Sequence, residues 1–370
     1  MSSQNNGARR SVYALGMFIL MSPSHPVAGA PELPRYDVVQ LRHASDPDLT
    51  TPYLDGAGDV VIRDDTDISF YPANGGHPRR LGRVHNPNSN AELSVDGIGA
   101  NGVIYGNSTT VTDGAWLFWT ATPVVWHGKR EIAVQPAPTM DMVDISGIDV
   151  HGTVVITAST ECPDPFSDVS YIYSLTGKHL LKIADHADAS AVSPDGRILI
   201  GHCEYAGDDV PPQPGRYGIW LEGQEHSIDL PHRDYDHTVN IAGMNDAGEV
   251  VGSVNDADAG SDHTWRSFAW CNGKLAWLPG FDGSLPGNVG ARGLNAAGDV
   301  VGSVYTGTPV ALRAFLYRND QMVDLNDCIT RSRDLTLTGA VSINDRGYIL
   351  AYGDHGAIYL LKPRKQHLPA

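Results

Sequence analysis

Short runs of branched apolar residues alternate with clusters of Asn, Asp and Gly along most of the chain. The fullest copy is Asn245-Asp-Ala-Gly-Glu-Val-Val-Gly-Ser-Val254. It returns almost intact as Asn295-Ala-Ala-Gly-Asp-Val-Val-Gly-Ser-Val304, and in weaker form as Asn344-Asp-Arg-Gly-Tyr-Ile-Leu-Ala-Tyr352. Apolar runs of this length, bounded by turn residues, predict strands. Their return at a fixed spacing predicts a repeat architecture.

The glycine ahead of each apolar run anchors the count. It falls at Gly58, Gly102, Gly152, Gly196, Gly248, Gly298 and Gly347, at intervals of 44, 50, 44, 52, 50 and 49 residues. Each unit has the same internal order. A short apolar strand ends in Asn, Asp or Ser, and a tight turn carries the anchor glycine. A strand of small and branched residues such as Val250–Val254 follows, then a polar loop of variable length. A third strand carries aromatics (Trp265–Trp270, Leu312–Tyr317), and a second turn such as Asn272-Gly273 leads to a short fourth strand. We call these strands A to D. Asn-Gly between apolar runs is a strong hairpin signal, because both central residues need positive φ. In the Asn-x-x-Gly turn the last residue is left-handed, where glycine avoids the Cβ clash. Paired branched residues in strand B suit burial on both faces.

Seven units of four antiparallel strands predict an all-β fold, a seven-bladed β-propeller of four-stranded blades. The last unit lacks a clear fourth strand after Ala357–Leu361. Tyr36–Leu41 resembles Met322–Leu325 and precedes the first unit. It is therefore predicted to complete the last blade and remove an open edge.

The pattern Asn-Asp-x-Gly-x-Val-Val-Gly, then x-Ala-Phe-Leu-aromatic, then Asp-Leu resembles the bacterial extracellular HAF-repeat proteins. The likeness is good in units five and six, fair in seven and faint in one to four. Where those proteins commonly read His-Ala-Phe, this chain has Arg313-Ala-Phe315 and Arg266-Ser-Phe268. The resemblance implies an exported β-propeller-like domain. It transfers no catalytic residue.

Residues 1–30 hold no acid. Arg9-Arg10 precede the apolar run Val12–Met21, and Ala28-Gly-Ala30 follows. A basic head, an apolar core too short to span a bilayer and a small-x-small site predict a secretory signal over 1–30, with the propeller over 31–370. An uncleaved anchor is the alternative, and Pro31 leaves the cut site open. The expected location is periplasmic or extracellular, with no membrane insertion after cleavage. The formal net charge is −17, from 26 Lys and Arg against 43 Asp and Glu. That balance argues against nucleic acid as a partner, since neutralising phosphates needs cations. Of the four cysteines, Cys162 and Cys203 lie in comparable parts of adjacent units and are the first pair to test for a disulfide. Buried free thiols are the alternative, particularly for Cys271 in a C strand.

In an antiparallel blade the A–B and C–D turns share one face of the ring, and the B–C and D–A loops share the other. The former are uniformly tight here. The latter are long: Ser108–Ala121, Ser159–Asp168, Glu204–Gly215 and Asn255–Thr264. Variable loops on a rigid scaffold are where binding residues concentrate, so a site is expected around the channel mouth on the long-loop face.

Three groups stand out there. The D–A loop bearing His232, Asp234, Asp236 and His237 should meet the B–C loop bearing Asp256, Asp258, Asp262 and His263. Imidazole with carboxylate suits zinc, and carboxylate with carbonyl suits calcium; a solvated acidic loop with Asx turns is the plainer reading. Trp116 and Trp119 in the second unit's B–C loop offer rings to a sugar or peptide, build a small cluster of their own, or belong to an extended C strand. The third is Glu204–Pro214, whose acids offer ligands or whose prolines simply stiffen a long connection. Arg292, which opens an inner strand, either meets an anionic group or pairs with a neighbouring acid. Asp195 and Asp246, ahead of anchor glycines, read as turn formers. No G-x-S-x-G, H-E-x-x-H or phosphate loop is present. The expectation is an exported recognition module binding a carbohydrate, peptide or protein ligand on its long-loop face. The competing class is a metal-assisted lyase or hydrolase acting on an extracellular polymer, and a third is an inert structural repeat.

Overall fold

The computed structural model describes residues 33–44, 50–64, 67–82, 91–112, 118–127, 130–135, 142–159, 170–202, 216–231, 237–256, 264–281, 289–306, 311–330 and 335–364. The chain divides into Met1–Leu33 and Pro34–Ala370. In the second unit, seven four-stranded antiparallel sheets form a ring: a seven-bladed β-propeller. Blade 1 is β2 (Thr50–Leu54), β3 (Val60–Asp64), β4 (Asp67–Tyr71) and β5 (Arg79–Gly82). Blade 2 is β6 (Ala91–Ile98), β7 (Ile104–Thr112), β8 (Phe118–His127) and β9 (Arg130–Ala133). Blade 3 is β10 (Met142–Ile148), β11 (Val154–Ser159), β12 (Ser170–Thr176) and β13 (His179–Asp185). Blade 4 is β14 (Ala187–Val192), β15 (Ile198–His202), β16 (Arg216–Leu221) and β17 (Gln224–Ile228). Blade 5 is β18 (His237–Met244), β19 (Val250–Asp256), β20 (Thr264–Cys271) and β21 (Lys274–Trp277). Blade 6 is β22 (Val289–Leu294), β23 (Val300–Thr306), β24 (Ala311–Arg318) and β25 (Gln321–Asp324). Blade 7 is β26 (Leu337–Ile343), β27 (Ile349–Gly353) and β28 (Ala357–Pro363), with β1 (Tyr36–His43) as its fourth strand, antiparallel to β28.

The turn chemistry explains the repeat. All seven anchor glycines have positive φ, from 74° at Gly347 to 94° at Gly58. Each donates its N–H to the carbonyl three residues back, as Gly248 does to Asn245 at 2.9 Å. At Glu222-Gly223 and Asn272-Gly273 both central residues have positive φ, as a two-residue hairpin of the mirror-image turn type requires.

The residues two and three after most anchors are buried almost completely: Val60 and Val61, Ile198 and Leu199, Val250 and Val251, Val300 and Val301, Ile349 and Leu350. Strand B is therefore sandwiched between two neighbouring blades. Each such side chain contributes about 1.5–3 kcal/mol of burial. The described apolar residues form seven clusters, and each spans one blade interface. Leu199, Ile219 and Phe268 join blades 4 and 5. Val60 and Ile62 meet Leu350 and Leu360, joining blades 1 and 7. The core is thus a ring of seams, and the inner strands contact one another in sequence around the whole circle.

The inner strands carry a feature that the sequence did not reveal. In blades 2 to 7 the pairing of strand A with strand B slips by one residue, at Asp96, Ser146, Ser190, Ala242, Arg292 and Val341. Each is the extra residue of a β-bulge six positions before its anchor glycine. In blade 1 that position is Pro52, and the register of β2 on β3 is unbroken. Among the described residues no helix is long and apolar enough to cross a membrane.

Candidate functional site in the central channel

Strand register places the predicted segments. His237 pairs with Asp256 across β18 and β19, and Asp256 pairs with Thr264 across β19 and β20. The histidine-bearing and aspartate-bearing segments thus leave blade 5 at the same end. Asp256 and His237 are the last and first residues of strands, so this B–C loop is shorter than Asn255–Thr264. His232, Asp234, Asp236, Asp258, Asp262 and His263 lie outside the described residues. Among the described residues no group of three His, Cys, Asp or Glu is arranged to hold a metal.

In the second unit the extended C strand is the reading that holds, and the loop is shorter than Ser108–Ala121. Strands β7 and β8 extend to Thr112 and from Phe118, and Trp119 pairs with Val111 within the sheet. Trp119 is part of a long C strand, because Thr109, Thr110, Val111 and Thr112 are β-branched and continue the ladder. Trp116 lies outside the described residues, as do Cys162 and Cys203. Cys271 and Cys328 are free thiols, and Cys271 does end a C strand.

Asp195 and Asp246 do more than form turns. The Asp246 carboxylate accepts the backbone N–H of Asp195 from the preceding blade at 2.8 Å. Asp345 does the same for Ala296 at 2.7 Å. The side chains that stand where the HAF pattern has histidine cover strand D: the Arg266 guanidinium stacks 4.1 Å above the Trp277 ring.

Arg292 does not open its strand. It is the bulged residue in the middle of β22, and it is exposed on the channel side of blade 6. Among the described residues no hydrogen bond or ion pair holds its guanidinium. Two cavities share it. One, of about 660 Å³, lies against blades 5 and 6 and reaches from Asn240 and Arg292 up to Trp265, Tyr305 and Leu312 beside the B–C loops. The other, of about 770 Å³, lies against blades 1, 2, 6 and 7. Ser303 and Leu312 also line both. Tyr352, in the second cavity, donates to the carbonyl of Thr50 at 2.8 Å. Burial pushes its phenol up to about 12, while Arg292 pulls the other way, so the guanidinium's field reaches this wall.

The opposite wall is acidic. Asp96, the bulged residue of blade 2, lines the second cavity. Behind it the buried Asn107 amide donates to Asp96 at 2.7 Å and to Asp144 of blade 3 at 2.6 Å. Its Oδ1 is buried with no partner, as is Nε of Arg63. Desolvation raises both carboxylates above the usual range; for Asp96 a Ser94 hydrogen bond and the Arg63 charge oppose this, and for Asp144 the Asp96 charge adds to it.

Sequence reasoning found Arg292 but missed Asp96 and Asp144. The only available signal was positional: Asp96 precedes its anchor glycine by the same six residues as Arg292.

No family model and no curated protein matches the chain. Solved structures do. Uncomplexed acylaminoacyl peptidase from Pyrococcus horikoshii is 10% identical with a TM-score of 0.53, over 88% of this chain and 54% of that one. An acylaminoacyl peptidase in complex with Z-Gly-Gly-Phe-chloromethyl ketone is 13% identical with a TM-score of 0.52, over 82% of this chain and 50% of that one. The β-propeller domain of the Trilobed protease from Pyrococcus furiosus is 14% identical with a TM-score of 0.49, over 74% and 85%. The chain spans about half the length of the two peptidases. The likenesses to the two peptidases show the fold alone.

Proposed function

We propose that this protein is an exported recognition propeller whose channel binds a small ligand through an anionic group held by Arg292. One observation carries this reading: an exposed channel guanidinium with no partner among the described residues, shared by two cavities. Their volumes fall in the range typical of small-molecule sites. Around Arg292 stand hydroxyls (Ser253, Ser303) and rings (Trp265, Tyr305), which suit a carboxylate-bearing sugar or a peptide terminus. A guanidinium grips a carboxylate with two parallel hydrogen bonds.

The composition and the 1–30 leader support export, and the repeat pattern supports membership of the HAF-repeat family. The test has two parts. Expressed with its leader, the protein should appear outside the cytoplasm, cut near residue 30. Titrated with glucuronate, galacturonate and short peptides, it should bind at least one acid in the wild type and lose about 2 kcal/mol or more in Arg292→Gln, the scale of a charge-assisted hydrogen bond. Binding that is indifferent to Arg292 overturns the reading.

A second reading, a metal-assisted lyase or hydrolase on an extracellular polymer, is favoured by the pairing of His237 with Asp256. It requires bound zinc or calcium after purification, lost in His232→Ala with Asp256→Ala.

A further inference from the structure

The larger cavity has opposite charge on opposite walls. Arg292 stands on blade 6 and Asp96 on blade 2, with blades 7 and 1 between them along the shorter arc, and both line the same space. Each is the bulged residue of its inner strand, so the two occupy equivalent positions in the repeat. The Arg292 guanidinium offers only donors. At the other end Asp96 lines the cavity, backed by the Asn107 amide and, through it, the Asp144 carboxylate of blade 3.

The residues behind Asp96, which do not themselves line the cavity, are short of donors. Asn107 is 7% exposed, and its Nδ2 spends both hydrogens on the two carboxylates. Its Oδ1 lies buried without a donor. Buried acceptors left unmatched cost about 1–3 kcal/mol, so such a group usually has a partner. The nearby cation, Arg63, makes no hydrogen bond or ion pair with either carboxylate among the described residues. One positive charge faces two negative ones.

We infer that the channel ligand is a zwitterion, an amino acid or short peptide with both ends free, whose ammonium is held at Asp96 and whose carboxylate is held at Arg292. This rests on the proposed role of Arg292 and adds the ligand's second charge. An ammonium brings three donors and a full positive charge to Asp96, the carboxylate that lines the cavity. A carboxylate alone fills only the Arg292 end.

The test uses full-length secreted protein and a library of free tripeptides, each with its N-acetylated and its C-amidated counterpart, by calorimetric titration. Free tripeptides should bind, and blocking either end should weaken binding at least tenfold. In Asp96→Asn the tenfold penalty of N-acetylation should vanish while that of C-amidation remains; in Arg292→Gln the reverse should hold. The acetylation comparison uses wild-type protein, so it stands even if a variant folds poorly. If N-acetylated peptides, or uronates, bind as well as free tripeptides and still depend on Arg292, the zwitterion is wrong and the Arg292 reading survives. If no tripeptide binds, the inference fails. If calcium binds the wild type and Asp96→Asn abolishes it, the acidic wall is a metal site and the inference fails. If nothing depends on Arg292, both readings fall together.

Discussion

The side-chain amide of Asn344 donates to the backbone carbonyl of Asp55, 289 residues earlier, at 2.9 Å. The same bond links Asn245 to Asn295 at 3.1 Å and Asn295 to Asn344 at 3.4 Å. The seam between the last and first blades is therefore closed by the amide that links blades within the chain. Meanwhile Asn344 Oδ1 accepts the N–H groups of Arg346 and Tyr348 and holds its own turn. One side chain shapes a turn and ties it to the next blade.

These two roles separate by mutation. Asp149 fills the same turn position in blade 3 and accepts the equivalent N–H groups of His151 and Thr153. Asn344→Asp should thus keep the turn and lose only the seam, costing about 1 kcal/mol, whereas Asn344→Ala loses both and should cost about 2–3 kcal/mol. Urea denaturation measures the difference. Equal costs for the two variants would mean that the seam bond contributes nothing.

Closure by β1 has its own signature. Tyr36 is 2% exposed, packs against Leu316 and Leu361, and its N–H donates to the carbonyl of Cys328 at 2.9 Å. Tyr36→Ala should cost about 3–5 kcal/mol, as expected for a buried aromatic. Starting the chain at residue 50 bares the edge of β28, and an open edge recruits other chains. Light scattering should show oligomers or aggregate; a stable monomer of the truncated chain would refute the closure role.

Two arginines of blade 6 differ in what holds them, and stability tells them apart. Arg318 makes paired bonds to the buried Asp299, 2.7 Å from Nε and 2.5 Å from Nη2. Arg318→Ala should cost about 1.5–3 kcal/mol, discounted toward the lower figure because the guanidinium side is about a third exposed. Arg292 has no such partner among the described residues, so Arg292→Gln should change stability by less than about 0.5 kcal/mol. A thermal melt compares them. A destabilised Arg292→Gln would mean that the guanidinium is structural.

The acidic wall should show in the pH dependence of stability. Burial raises the Asp144 carboxyl above its ordinary value of 3.8, with the Asp96 charge adding to it. The folded state then holds the proton more tightly than the unfolded one. Stability contributed by this group is present below 3.8 and is lost as pH rises through the raised folded value. Asp144→Asn removes that loss, so at pH 7 it should melt higher than wild type, and the gap should close in acid. A gap that widens on acidification would show that Asp144 is held by a favourable charge instead.

Much of the architecture was legible in one dimension. The anchor glycines are readable because positive φ admits few other residues, and the buried pairs after them are readable because strand B has no solvent face. Tyr36–Leu41 was readable as a strand D out of place. Loop boundaries were less so: Trp119 looked like a loop residue because polar Ser108–Thr112 sits in strands that continue past the usual length. The bulges left no residue signature, since Asp, Ser, Ala, Arg and Val all occupy them; a bulge is a matter of which backbone groups pair, and Pro52 alone hints at its absence.

The repeat by itself determined the number of blades, the placement of their tight turns and the swap that closes the ring, because these follow from local backbone conformation and from burial at a fixed period. Only the folded ring decided which polar side chains face one another. Asp96, Asn107 and Asp144 are scattered over two units and meet across a blade seam, while Arg292 shares a cavity with Asp96 only because the circle closes. Charge interacts through space, and no spacing along the chain encodes the width of a channel.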